Sequence, residues 1–383
     1  MDRALLINLD SIQHNISTMK KATKTNIMVV VKANAYGHAR NAEGVAKVVE
    51  AAHAGGASYV GVAHLEEAIA LHQAGCALPI LAWLHTPVSP FEDAARLGIE
   101  IGVGSEEELD ICASLSIAPT VHIKIDTGLG RNGIIREQWA EVFKKALAAQ
   151  EAGKLKVKGL FSHFAVADEP ERPETQQQID EYEEALHIAQ EVGLSFEVRH
   201  LASTAGSLAF PQARYDMVRI GLATYGLSPF TPKDQKLYDV DLKPAMTFVS
   251  TMSKIRPAPA GQGVSYGLRY VTDSATSLGL VPVGYADGIP RTAKDAEVAY
   301  KGKRYTVVGT IAMDQLVIDM HTEDIPDEAM DQVTIFGPDG SKNAPAVEEL
   351  AAAAGTLNIE IVTRMGTRVP RIYFRGSPPG GNK

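Results

Sequence analysis

Eight short apolar runs within the first 220 residues, parted by helical stretches, limit what this sequence can fold into. They lie near residues 27–32, 58–62, 79–84, 99–103, 119–125, 157–163, 197–201 and 215–220. Most are separated by alanine-rich amphipathic segments, such as EGVAKVVEAAHAGG from Glu43 and SEEELDICASL from Ser105. In the first run, Met28 to Val31 is rich in β-branched residues with no helical period, as expected of a strand buried on both faces. Strict alternation of strand and helix requires parallel pairing through right-handed crossovers, and eight such units close into a (β/α)8 TIM barrel. An open doubly wound sheet is the alternative. Ala4 to Asn8 reads as a separate strand, with Asp10 or Ser11 capping the helix that follows.

Beyond Pro229 the texture changes. The segment from Ser228 to Asp241 is polar with two prolines, and MTFVSTMSKI, SLGLVPVGY, YTVVGTIAMDQLVIDM and DQVTIFG follow as short β-branched runs. These predict a second, mainly β C-terminal domain with one short helix near Ala346 to Ala354. The expected division is a barrel over 9–230, a mainly β domain over 239–376 joined by the N-terminal strand at 2–8, and a disordered tail at 377–383.

The residues just past each strand are the ones to read, because barrels build their sites at that face. Lys32 and Tyr36 follow the first run, and Asp126 to Gly133, containing Arg131, follow the fifth. Ser162, His163 and Phe164 follow the sixth, His200 and Ser203-Thr204 the seventh, and Arg219 with Gly221 the eighth. An ammonium at a buried strand end has its pKa lowered by desolvation, which favours a neutral amine able to form a Schiff base; a lysine snorkelling to solvent is the plainer reading. Glycine and hydroxyl donors after strands seven and eight stand where barrels commonly hold a phosphate. Lysine, phosphate cradle and arginines together point to pyridoxal 5'-phosphate.

The net charge of -9 gives no basic face, which argues against nucleic acid or an anionic membrane as partner. No signal peptide and no apolar stretch of membrane-spanning length is present, so a cytoplasmic location is expected. Cys76 and Cys112 read as buried thiols, and the histidines show no HExxH or cysteine pairing, so no metal site is expected. The segment GLGRNG around Arg131 is literally G-x-G-x-x-G, yet the next strand ends in Phe161, Ser162 and His163 with no acid for a dinucleotide ribose.

VVVKANAYGHA, KIDTGLGRNG, FSHFAVAD, HLASTAG, YDMVRIGLATYG, GVSYG, VGYADGIPR and GTIAMDQ, in this order, resemble the alanine racemases, pyridoxal phosphate enzymes of fold type III. The likeness runs from about Ile7 to Phe374. It implies that Lys32 bonds the cofactor and is one base, and that Tyr266, reaching over from the partner subunit of a homodimer, is the other. Racemisation needs two acid-base groups on opposite faces of Cα. The resemblance further implies Arg219 at the pyridine nitrogen, and Tyr36, Thr204, Gly221 and Leu222 around the phosphate. Arg131 and the Met313 backbone N–H would meet the substrate carboxylate, His163 would orient Arg219, and Lys124 is a candidate for carbamylation. The product would be D-alanine for peptidoglycan.

Three positions depart from the family pattern. Ser203 replaces an asparagine, Ile359 a tyrosine, and Thr310 an arginine at the substrate entrance. The last two changes loosen the expected polar gate, so a broader amino-acid racemase acting on serine is an alternative. Asp287 and Asp314 read as turn caps. A fold type III decarboxylase is disfavoured by Arg219 and by cysteine-free GVSYG and GTIAMDQ. A non-enzymatic pyridoxal phosphate carrier is disfavoured by the second domain.

Overall fold

The eight apolar runs become eight parallel strands. The computed structural model describes residues 2–230, 238, 240–322, 331–338 and 343–379. The chain divides into one unit of Ile12–Ala35 and Asn41–Lys243 and another of Met1–Ser11, Tyr36–Arg40 and Pro244–Lys383. Residues 231–237 and 239, in the expected linker, and 380–383, in the expected tail, lie outside the described residues.

In the first unit, strands β1 (Asn26–Val30), β2 (Tyr59–Val62), β3 (Ile80–Ala82), β4 (Glu100–Val103), β5 (Thr120–Lys124), β6 (Lys156–Phe161) and β7 (Val198–His200) pair in sequence, and β8 (Met217–Ile220) lies beside β1. The seam between β8 and the β7 segment is closed by Asp216 N donating to Arg199 O at 3.1 Å and Arg219 N to Ala202 O at 3.0 Å. The predicted TIM barrel is therefore present. Ile27, Met28 and Val29 in β1 are fully buried, as strands covered by helices require. Helices Ala42–Ala54 and Glu106–Ser114 start on side-chain caps: Asn41 accepts from Gly44 N at 3.1 Å and Ser105 from Glu108 N at 3.2 Å. One irregularity shapes the interior. Val121 pairs with Val157 but His122 pairs with Gly159, so Lys158 is an extra residue bulging from β6.

The second unit carries a nine-stranded sheet among the described residues. Its first strand, Arg3–Asn8, runs antiparallel to Met246–Thr251 and parallel to Arg371–Phe374. The helix Leu9–Thr23 is capped differently from expectation. Asn8 Oδ1 accepts from Asp10 N at 2.9 Å and Ser11 N at 3.2 Å, because the helix begins at Leu9 and the cap is the residue before it. The single expected helix spans Val347–Ala354, and a second follows at Asn358–Thr363, where Asn358 and Glu360 gave no apolar periodicity to read. Asp287 is fully buried: it accepts from Gly284 N at 2.9 Å, as a turn cap does, and also pairs with Arg368 at 2.7 Å and Arg3 at 3.1 Å. Asp314 pairs with Arg368 at 2.8 Å. Both cysteines are free, but Cys76 is only half-buried whereas Cys112 is fully buried. Among the described residues no helix is long and apolar enough to cross a membrane, and no group of three or more His, Cys, Asp or Glu could hold a metal ion.

Candidate active site

β1 ends at Val30, and Lys32 opens a turn in which Ala33, Asn34, Ala35 and Tyr36 have φ of 52°, 55°, 52° and 54°. Four consecutive L-residues in the left-handed conformation cost roughly 1–2 kcal/mol each. The turn is held from two sides. Ala35 N donates to Val31 O at 2.8 Å, and Ala33 N donates to Glu67 Oε1 at 2.7 Å. The other Glu67 oxygen accepts from Ala63 N at 3.0 Å and His64 N at 3.1 Å, so this carboxylate ties the end of β2 to the lysine turn. Burial, then the Arg131 charge, hold the half-buried Lys32 ammonium below the ordinary lysine range; Glu67 opposes them and Arg219 adds to them.

Arg219 on β8 is the most constrained cation of the barrel mouth. Its Nη1 donates to His200 O at 2.8 Å and to His200 Nδ1 at 3.1 Å; its Nη2 donates to Ser162 O at 2.7 Å, Leu201 O at 3.0 Å and His163 Nδ1 at 3.1 Å. Nε is the N–H left over. Phe161 lies 5.7 Å from the guanidinium and 5.9 Å from Lys124 Nζ. Burial, reinforced by Arg219 and Arg131, brings the Lys124 ammonium down to about 8. His163 is held well below its usual value by burial and then by Arg219, Arg131, Lys32 and Lys124. It is therefore a neutral imidazole that accepts from Arg219. Four cations around one neutral histidine make a field suited to anionic groups such as phosphate and carboxylate.

Thr204 begins the short helix Thr204–Ala209, and its Oγ1 is buried with no hydrogen-bond partner, an arrangement that calls for an acceptor or donor from a ligand. Gly221 and Leu222 start the 3₁₀ turn Leu222–Tyr225 after β8, where backbone N–H groups lack partners within the turn. The orphaned hydroxyl, the leftover Arg219 Nε–H and the amine-poised lysine fit a phosphate-bearing aldehyde. Arg131 is exposed in its loop. That loop holds no phosphate nest, because Asp126 already accepts from Gly128 N and Leu129 N, each at 2.9 Å, and from Gly130 N at 2.9 Å.

Eight of the residues singled out from the sequence thus lie in the barrel unit: Lys32, Lys124, Arg131, His163, Thr204, Arg219, Gly221 and Leu222. Tyr36, Tyr266 and Met313 belong to the other unit. Burial pushes the Tyr36 phenol far above its ordinary value, so it stays protonated as a donor. Tyr266 is 71% exposed, on a turn where Ser265, Gly267 and Leu268 all have positive φ. Thr310 clamps this turn: its Oγ1 donates to Tyr266 O at 2.8 Å, and its own carbonyl accepts from Ser265 Oγ at 2.5 Å. Met313 is exposed, its carbonyl accepting from Ala286 N at 3.0 Å. Ile359 is half-buried within Asn358–Thr363. Sequence reasoning missed Glu67, Glu100, His122, Lys158 and Gln178. Gln178 donates to His163 O at 3.1 Å and accepts from Ala165 N at 2.8 Å, fixing the strand end that carries His163. The signal for Glu100, His122 and Lys158 was present as ionisable residues inside apolar strands.

Residues 7–229 match the family profile described as alanine racemase, N-terminal domain, and residues 245–373 match alanine racemase, C-terminal domain. An alanine racemase of Thermobifida fusca is 42% identical over 373 residues, covering 96% of both chains. The alanine racemase crystal structure from D-cycloserine producing Streptomyces lavendulae superposes with a TM-score of 0.91 at 40% identity, covering 98% of each chain. A Bacillus anthracis alanine racemase solved with bound L-Ala-P gives 0.87 at 34% identity, covering 99% of this chain and 97% of that one.

Proposed function

The chain belongs to the alanine racemase family and racemises alanine, and we propose that it does so with pyridoxal 5'-phosphate, by a two-base route shared between the subunits of a homodimer. The observation that carries this reading is Lys32, a half-buried lysine whose ammonium is destabilised by burial and by neighbouring arginines, beside an arginine pinned in one orientation. Bound pyridoxal phosphate supplies an electron sink for the pair left when the alanine Cα–H bond breaks. Lys32 would bond the cofactor at rest and, as the neutral amine, take or return the proton on one face of Cα. The phenol of the partner subunit's Tyr266 would hold the proton on the other face, a role suited to an exposed tyrosine on a braced turn.

Arg219 would face the pyridine nitrogen with Nε. As a permanent cation it gives up no proton there, which limits side reactions. His163, neutral and accepting from Arg219, would keep that guanidinium in place. Tyr36, the unpartnered Thr204 hydroxyl and the Gly221 and Leu222 backbone would hold the phosphate. Arg131 and the Met313 N–H would receive the substrate carboxylate. Lys124, with an ammonium brought down to about 8, has the neutral fraction that carbamylation requires, and a carbamate there would place a negative charge against Arg131. Free thiols at both cysteines support a reducing compartment, the cytoplasm. Ile359 and Thr310, both smaller and less polar than the family's usual residues, favour a second reading in which serine is also accepted.

Proton NMR in D2O with L-alanine, D-alanine, L-serine and L-lysine tests the reaction. Loss of the α-proton signal in both alanines, with the opposite enantiomer appearing, is expected; no exchange despite bound cofactor would sink it. Mixing K32A with Y266F tests the shared site. Each variant alone is inactive, and the mixed dimer regains activity because one of its two sites is intact. No recovery would mean that Tyr266 acts within its own chain.

A further inference from the structure

A line of buried polar groups runs down the inside of the barrel from Arg219 toward the opposite end. His200 Nε2 lies 3.0 Å from His122 Nδ1, and His122 Nε2 lies 2.8 Å from Glu100 Oε2. Glu100, the first residue of β4, also accepts from Lys158 Nζ at 2.6 Å and from Tyr59 OH at 2.7 Å. His122 and His200 are fully buried, and Glu100 and Arg219 are 6% exposed. The line therefore crosses four strands with its two central imidazoles sealed from solvent.

Only one arrangement of hydrogens fits. A carboxylate accepts and cannot donate, so His122 carries its proton on Nε2. Burial keeps His122 neutral, which leaves Nδ1 as a lone pair and requires His200 to donate to it from Nε2. His200, also neutral, then presents a lone pair at Nδ1, and a guanidinium can only donate to it. Every hydrogen bond from Arg219 onward points toward Glu100. Two further features are built for this line. The β6 bulge re-aims Lys158 onto Glu100, and a Cβ at Gly159 would stand 2.2 Å from His122 Nδ1. Phe161 stacks on the His200 ring at 4.8 Å and 6°, fixing its plane.

We propose that Glu100, His122 and Lys158 are positioning residues for the racemisation: through His200 they hold Arg219 as a full cation in a single orientation, with Nε–H directed at the cofactor ring. The proposal rests on the reading that Arg219 faces that ring. Its negative pole, however, sits at the far end of the barrel, two imidazoles away. Lys158 keeps Glu100 ionised, and the fixed tautomers carry the polarity of that carboxylate to the guanidinium.

The test uses full-length holoenzyme labelled with 15N-histidine. In the unsubstituted protein, His122 and His200 are expected as neutral Nε2–H tautomers from about pH 6 to pH 9. E100M/K158M replaces the ion pair by apolar side chains, which proteins commonly tolerate. It is expected to lose the fixed tautomer at His122, to shift the absorbance band of bound cofactor, and to lower kcat roughly tenfold with KM little changed, the scale of one charge-assisted hydrogen bond. Y59F leaves Glu100 with His122 and Lys158, and should keep both the tautomers and kcat. E100Q, a milder change, keeps an acceptor without the charge and should lower kcat while leaving the tautomers in place. Unchanged tautomers in E100M/K158M, unchanged kcat and cofactor band in E100M/K158M and E100Q alike, or an equal loss in Y59F would overturn the proposal. Failure of the unsubstituted protein to take up pyridoxal phosphate would instead defeat the functional reading, while the tautomer measurement still decides whether the line exists.

Discussion

The hydroxyl and carbonyl of Thr310 lock the turn that carries Tyr266. T310V keeps the shape and removes the donor. A hydrogen bond of this kind contributes about 0.5–1.5 kcal/mol, so kcat for alanine should fall roughly threefold to tenfold with little change in thermal stability. The proton-exchange rate reads it directly, and an unchanged rate would show that the turn holds without the clamp. Lys32 and His163 were legible because each is an ionisable residue at the end of an apolar run, and Arg219 because it is a charge within the last residues of one. The left-handed turn after Lys32 was not, since three of its four residues are alanine or tyrosine, which carry no preference for positive φ. Glu67 was hidden for a different reason: it sits in a helix, where glutamate is ordinary, and its role appears only when Ala33 N is found beside it.

At the scale of elements, the strand rhythm was readable because parallel strands buried on both faces need uninterrupted apolar runs, and each observed strand falls within three residues of its run. The contents of the barrel interior were harder to read. Alternation predicts which residues point inward only while register is kept, and the extra residue at Lys158 breaks it between Val157 and Gly159. The run LKVKGLF is flecked with two strand lysines, and its pattern does not tell which of them enters the barrel. Gly159 is the place to test this packing. G159A drives a methyl into the His122 ring, a fully buried side chain held at both nitrogens, so the neighbour cannot yield cheaply. The expected loss is about 2 kcal/mol or more, visible as a lower urea midpoint with an unchanged slope. A midpoint equal to that of the parent protein would mean that the ring has room to move.

For the molecule as a whole, the buried line makes stability depend on pH. His122 and His200 are held below the ordinary 6.5 by burial, so below that pH the unfolded chain binds protons that the folded one refuses. Glu100 adds to this. Burial works to raise its carboxyl, but the hydrogen bonds from His122, Lys158 and Tyr59 win and bring it down to about 2 from 4.5, so its contribution is lost as pH falls from 4.5 toward 2. Stability should decline from about pH 6.5 downward, by up to about 1.4 kcal/mol per pH unit for each group. Urea midpoints measured between pH 7 and pH 4 check the sign; a flat profile would contradict the neutral histidines. The order of synthesis also bears on the segment after Lys32. Arg371 donates to the carbonyl of Gly37 at 3.0 Å and 3.1 Å, across a sequence separation of 334, and Gly37 has no space for a side chain because Val362 O stands 2.0 Å from where a Cβ would be. On the ribosome the barrel strands, and Glu67 that holds the lysine turn at Ala33, are all available once Ile220 has emerged, whereas the carbonyl of Gly37 gains its Arg371 partner only near the end of synthesis. Translation thus delivers the reactive lysine and its Glu67 restraint early and the restraint at Gly37 late, so a chain released between those two moments would lack the fastening at Gly37.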